Sequence, residues 1–145
     1  GGEGAAGKGE NMLTPELVRL GKLVESSYAS WMHTRDKQTL KAALDAQRQV
    51  SKALPDDWEA RLTLGNLMYF SGDDEAAVSE ARKAVDLNPS SPQANKLLGR
   101  ILVQLSRLDE GLPFLRRAVT LSPWDHEGWY KLGTVLFEAG GREEA

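Results

Sequence analysis

An interval of 34 residues constrains this chain more than any other feature of its sequence. Gly65, Gly99 and Gly133 stand one interval apart, each behind a leucine (Leu64, Leu98, Leu132), and Pro55, Pro89 and Pro123 keep the same spacing. Ala84 and Ala118 also correspond, so residues 58–125 superimpose as two ungapped segments that run on at both sides. A fixed period of this length means one supersecondary unit copied along the chain, each copy too small to bury its own apolar face and therefore stacked on its neighbours. The sequence predicts a solenoid.

The residues inside each interval resemble the tetratricopeptide repeat. Its pattern W-x2-L-G followed by a bulky apolar residue three further on is met by Trp129, Leu132, Gly133 and Leu136, and in weaker form by Leu64, Gly65, Met68 and Leu98, Gly99, Leu102. The small residue early in the second helix is Ala77 or Gly111, followed by Ala84 or Ala118 and a closing Pro89 or Pro123. The resemblance implies an all-α fold: an α-solenoid of stacked antiparallel helix pairs forming a tetratricopeptide superhelix, with about three and a half repeats, seven helices in all. One position departs from the pattern. Arg61 and Asn95 stand where Trp129 fits, so those two first helices are expected to pack less deeply.

Composition narrows the function. The 145 residues suffice for one core, and charged residues make up 27% with a net charge of only -3, which leaves no basic field for a nucleic-acid backbone. The absence of cysteine rules out disulfides, thiolate nucleophiles and thiolate metal sites, and leaves the redox compartment open. No apolar run reaches the ~18 residues of a membrane helix, so no direct insertion within this chain is expected. Localisation is read as cytoplasmic, or as a periplasmic or membrane-tethered soluble region should an anchor upstream of Gly1 have been removed.

In chain order, residues 1–12 read as a disordered arm or an expression remnant, since residues 1–11 hold five glycines and no large apolar side chain up to Asn11. Gly2, Gly7 and Lys8 begin a phosphate-loop pattern, but Gly9 replaces the required Ser or Thr and no strand precedes it, so the match is chance. Residues 13–57 form a divergent repeat. Thr14 caps a long first helix with Pro15 at its start, ending at His33 or Arg35; Lys37 and Gln38 turn, and a second helix covers Thr39 to Leu54. Ser30 and Trp31 replace the Leu-Gly pair there, which predicts altered packing or an N-terminal cap.

Residues 58–91 are the next repeat, with Asp56 or Asp57 as cap, Glu59 placed for a capping box with Asp56, Gly72 closing the first helix near Ser71, and Asp73 opening a second that runs to about Leu87. Residues 92–125 follow, capped by Ser91 with Pro92 in the first turn. Its second helix contains Gly111 and Pro113, so it is expected to start late, near Asp109, or to bend. Residues 126–145 are an incomplete repeat, with a second helix starting after Gly140 and Gly141 and the natural protein expected to continue.

Catalytic and metal chemistry are thinly represented. His33 and His126 have no partner at metal-ligand spacing, no GxSxG motif is present, and the acidic clusters at Asp56, Asp57, Glu59 and at Asp73, Asp74, Glu75 sit at helix starts, where the helix dipole favours negative charge. No cofactor is implied, and the chain is read as a non-enzyme.

What remains is a binding surface. Helical spacing puts Leu62, Asn66, Tyr69 and Phe70 on one stripe, which the period repeats as Lys96, Arg100, Val103, Gln104 and as Tyr130, Thr134, Phe137, Glu138. The resemblance implies that these first-helix positions line the concave groove in which such domains hold peptides or helices. The expected peptide-binding residues are Asn66, Tyr69, Lys96, Arg100, Tyr130 and Lys131, suited to a protein segment with carboxylates and apolar anchors. The two-carboxylate clamp of chaperone-binding members is not expected: Asn66 fits one of its places and Lys131 replaces its arginine, but Leu62, Leu97 and Glu127 occupy the other three. The leading reading is an adaptor or scaffold. Its alternatives are a regulatory or targeting region of a larger enzyme, and a structural subunit that associates end to end.

Overall fold

The computed structural model describes residues 14–144, so the expected N-terminal arm lies outside the described residues. Those residues form seven helices: α1 Pro15–Thr34, α2 Lys37–Ala53, α3 Trp58–Phe70, α4 Asp74–Leu87, α5 Pro92–Gln104, α6 Leu108–Leu121 and α7 His126–Glu144. The pairs α1/α2, α3/α4 and α5/α6 pack against each other, and each second helix then packs against the next first helix. The first helices α3 and α5 also touch directly. This is an all-α tetratricopeptide-type solenoid.

Side chains at the helix starts explain the punctuation. Thr14 accepts from the Leu17 amide at 3.3 Å, Asp73 from Ala76 at 3.3 Å and Ser91 from Ala94 at 3.0 Å. Each satisfies an amide that has no partner within its helix. Two starts differ from expectation. Helix α2 begins at Lys37 rather than after a Lys37–Gln38 turn, because Asp36 accepts from the Gln38 amide at 3.0 Å. At α3 the cap is Asp57, whose carboxylate takes both the Glu59 and Ala60 amides (2.9 and 3.2 Å); with Asp56 outside the cap position, the expected Asp56–Glu59 box does not form.

Between first and second helices the chain turns through a left-handed residue. Gly72 has φ 90° and the Asp73 amide reaches back to the Met68 carbonyl at 3.0 Å. One interval later Ser106 takes φ 63°, and Arg107 donates to the Leu102 carbonyl at 2.8 Å. The same turn is therefore made without glycine. Helix α6 begins at Leu108, one residue before the expected Asp109, and continues through Pro113. Leu108 and Leu112 pack beside buried Leu115 and Val119, and that burial offsets the amide lost at the proline. Helix α7 likewise runs on through Gly140 instead of turning there.

The core is a seam. Leu64, Leu67, Ala77, Ala81, Leu97, Leu98, Ile101 and Leu102 are buried along it, and Ala77 and Ala81 are wholly inaccessible. A Cβ on Gly99 would lie 2.7 Å from Leu115 Cγ, and one on Gly111 would lie 2.9 Å from the Gly99 carbonyl oxygen. The two backbones meet there. At Gly133 a Cβ would meet nothing within 4 Å, and among the described residues no helix following α7 packs on it.

The residues that depart from the pattern are not loosely packed, contrary to expectation. Asn95 is fully buried and donates to the Pro89 carbonyl at 3.0 Å and the Ser91 carbonyl at 2.8 Å. Arg61 donates to the Pro55 carbonyl at 3.1 Å while its guanidinium binds Glu80 at 3.0 Å. Trp129 donates to the Pro123 carbonyl at 2.8 Å. Three different side chains thus perform one task, satisfying the proline carbonyl six residues earlier, which selects for a donor rather than for bulk.

Candidate protein-binding face

The first helices α3, α5 and α7 present the expected residues, and their side chains fall into distinct environments. Arg100 on α5 lies across the row: its Cζ is 6.0 Å from the Tyr69 ring on α3, and its Nη1 is 3.8 Å from Glu127 on α7. Tyr69 is half-buried against the seam and so presents a fixed face to that cation. Tyr130 is 78% exposed and Lys131 is half-buried beside it on α7.

Asn66 sits apart from this cation row. It lines a depression of about 330 Å³ with Val24, Tyr28, Thr63, Leu67 and Phe70, between α1 and α3. Glu25 also lines it, and its two aromatic walls meet: Phe70 lies 6.1 Å from Tyr28, ring to ring, and packs on its far partner Trp31 at 5.0 Å. Trp31, which replaces the expected glycine, is 7% exposed, so the divergent repeat closes its seam with an indole rather than with close backbones.

Lys96 is engaged. Its ammonium donates to the Asp125 carboxylate at 3.0 Å, and this bond, helped by the Gly128 amide, holds the Asp125 carboxyl below the usual carboxylate range. Asp125 precedes α7, so the pair ties the entry to α7 to the face of α5. Sequence spacing brought Lys96 to the face but gave no sign of this partner. It equally missed the packing of Phe70 on Tyr28 and Trp31 of α1, although Phe70 lay on the first stripe.

Two of the clamp positions have other surroundings. Leu97 is 4% exposed and its Cδ2 would lie 3.3 Å from a Cβ on Gly65, so it serves the seam, while Glu127 would repel a carboxylate. Among the described residues there is no group of three or more His, Asp or Glu side chains placed to hold a metal ion, and no helix is long and apolar enough to cross a membrane.

The family profile for the tetratricopeptide repeat matches residues 37–92 and again 62–126. The chain belongs to the tetratricopeptide repeat family. It is similar to the Cell division cycle protein 27 homolog of Caenorhabditis elegans, with 30% identity over 106 residues that make up 73% of this chain and 13% of that protein. It is also similar in structure to the O-GlcNAc transferase of Thermobaculum terrenum (26% identity, TM-score 0.70), covering 86% of this chain and 23% of that one. A third similarity is to the first tetratricopeptide domain of Spaghetti (RPAP3), solved with an HSP90 peptide: 19% identity, TM-score 0.72, 83% of this chain and 93% of that one. The last shows the fold alone. The chain thus spans less than a quarter of the length of the first two proteins, and a tetratricopeptide domain is a module for protein-protein interaction.

Proposed function

We propose that the tetratricopeptide repeats of this chain act as an adaptor that holds a segment of another protein along the face of α3, α5 and α7. The observation that carries the reading is Arg100, which touches Tyr69 on one side and Glu127 on the other and so joins three first helices into one continuous surface. A partner carboxylate can displace the exposed Glu127 from that guanidinium, and Lys131 supplies a second cation nearby. Lys96 fixes Asp125 and positions the start of α7. Asn66 and the depression beside it accept an apolar side chain and the backbone next to it. Desolvated arginine and aromatic side chains are the usual energetic centres of such interfaces.

The absent clamp separates this partner from a chaperone C-terminal tail. With Leu62, Leu97 and Glu127 at the clamp positions, the favoured segment places its acid within its length rather than at a free carboxylate end. Peptides selected by display against the intact chain test this. Arg100→Ala with Lys131→Ala should weaken the selected peptides about tenfold or more, with an unchanged circular dichroism spectrum. Peptides that bind both forms equally would remove the face from consideration.

A second reading, that these repeats serve as the targeting region of a larger enzyme, is favoured by the 26% match to a transferase of which they cover 23%. The gene sequence on both sides of the chain tests it, a catalytic domain in the same frame supporting the reading and its absence ending it.

A further inference from the structure

We infer that a second docking site, for an acidic peptide segment with one apolar anchor, lies at the corner where the end of α1, the start of α2 and the end of α3 meet. A depression of about 520 Å³ opens there, with Trp31, Leu44 and Phe70 in its wall and Arg35, Lys37 and Lys41 around it. Phe70 is the one residue that this recess shares with the depression beside Asn66.

The wall is preformed. Trp31 and Phe70 pack at 5.0 Å, and the Arg35 guanidinium lies 4.4 Å above the indole, placed there by a left-handed backbone (φ 57°) that ends α1. Lys37 and Lys41 stand one turn apart on α2 and are exposed. None of the three cations forms an ion pair among the described residues, whereas Arg61, Arg82, Lys96, Arg100 and Arg107 all do. The one acid between them, Asp36, turns its carboxylate to the Gln38 amide. Three unpaired cations around an apolar recess are complementary to carboxylates flanking a leucine or phenylalanine. The recess also selects against a bilayer, because an apolar side chain can enter it and a flat lipid surface cannot reach its wall.

The site is separate from the α3/α5/α7 face, and its test keeps the two apart. The probe is a fluorescein-labelled peptide, Glu-Glu-Leu-Phe-Glu-Glu, titrated with the full chain. Two controls replace every Glu by Gln, or the Leu-Phe pair by Gly-Gly. The inference predicts saturable binding that each control weakens about tenfold or more, and that Lys37→Glu with Lys41→Glu weakens likewise. Both positions are solvent-exposed and the charge reversal at Lys37 suits the positive end of α2, so the fold is retained. Arg100→Ala should change affinity less than about twofold. No binding up to about 1 mM peptide, an unaffected charge-reversed variant, or equal damage from Arg100→Ala would each overturn the inference. So would sedimentation with phosphatidylserine vesicles by a chain that ignores the peptide.

Discussion

Replacing Gly99 by alanine puts a methyl group 2.7 Å from Leu115 Cγ, 2.8 Å from its Cδ2 and 3.1 Å from the Gly111 carbonyl oxygen. Leu115 is 1% exposed and has nowhere to go. Alanine gains about 1 kcal/mol over glycine inside a helix, but overpacking a filled seam costs about 1–3 kcal/mol. The net expectation at Gly99 is a loss of about 0–2 kcal/mol. Gly133 occupies the same place in α7, where a Cβ meets nothing within 4 Å, so alanine there should gain about 1 kcal/mol. Since the propensity term is common to both, the difference between the variants isolates the close approach of α5 and α6, about 1–3 kcal/mol. Gly65, where a Cβ meets the far end of Leu97 at 3.3 Å and the Ala77 and Ala81 backbones at an ordinary 3.5 Å, should fall between them. Urea denaturation followed by circular dichroism measures the series. Equal midpoints for Gly99→Ala and Gly133→Ala would refute the seam.

Three further outcomes follow from single contacts. Ser106→Gly should stabilise the chain by about 0.5–1 kcal/mol, because it relieves a side chain held at positive φ, and a lower melting temperature would contradict this. Arg61→Ala should cost about 3 kcal/mol, since Glu80 then keeps only Lys83, and loses a partner 3.0 Å away at a site where both side chains are below 20% exposure; an unchanged urea midpoint would refute it. Asp125 has its carboxyl lowered by Lys96, so its contribution to stability is complete above the ordinary carboxylate pKa and is lost as pH falls through the lower folded value. The gap in melting temperature between the wild type and Asp125→Asn should therefore close below the usual carboxylate range, and a gap constant down to acid pH would contradict it.

The repeat was legible because its cause is periodic. Gly65 and Gly99 recur since backbones must meet once per helix pair, and Thr14, Asp73 and Ser91 cap helices as local chemistry dictates. What escaped the sequence is what one interval does differently from the next. Arg61, Asn95 and Trp129 share a hydrogen bond to a proline carbonyl but share no size or polarity, so a pattern written in terms of bulk passes over them. Ser106 adopts the turn of Gly72 because the bond from Arg107 to Leu102 holds it there, which no propensity announces. The candidate site was legible as a row of positions. Its electrostatics were not, because Lys96 and Arg100 meet acids at Asp125 and Glu127 that stand at the start of the next first helix and become neighbours only once the helices stack.

The central claim is that a protein segment docks on the first-helix face, and amide chemical-shift mapping with a display-selected peptide tests it most directly. The account predicts shifts grouped at residues 62–70, 96–104 and 127–138, with α4 and α6 quiet. Shifts confined to α4 and α6, on the opposite wall of the stack, would contradict it.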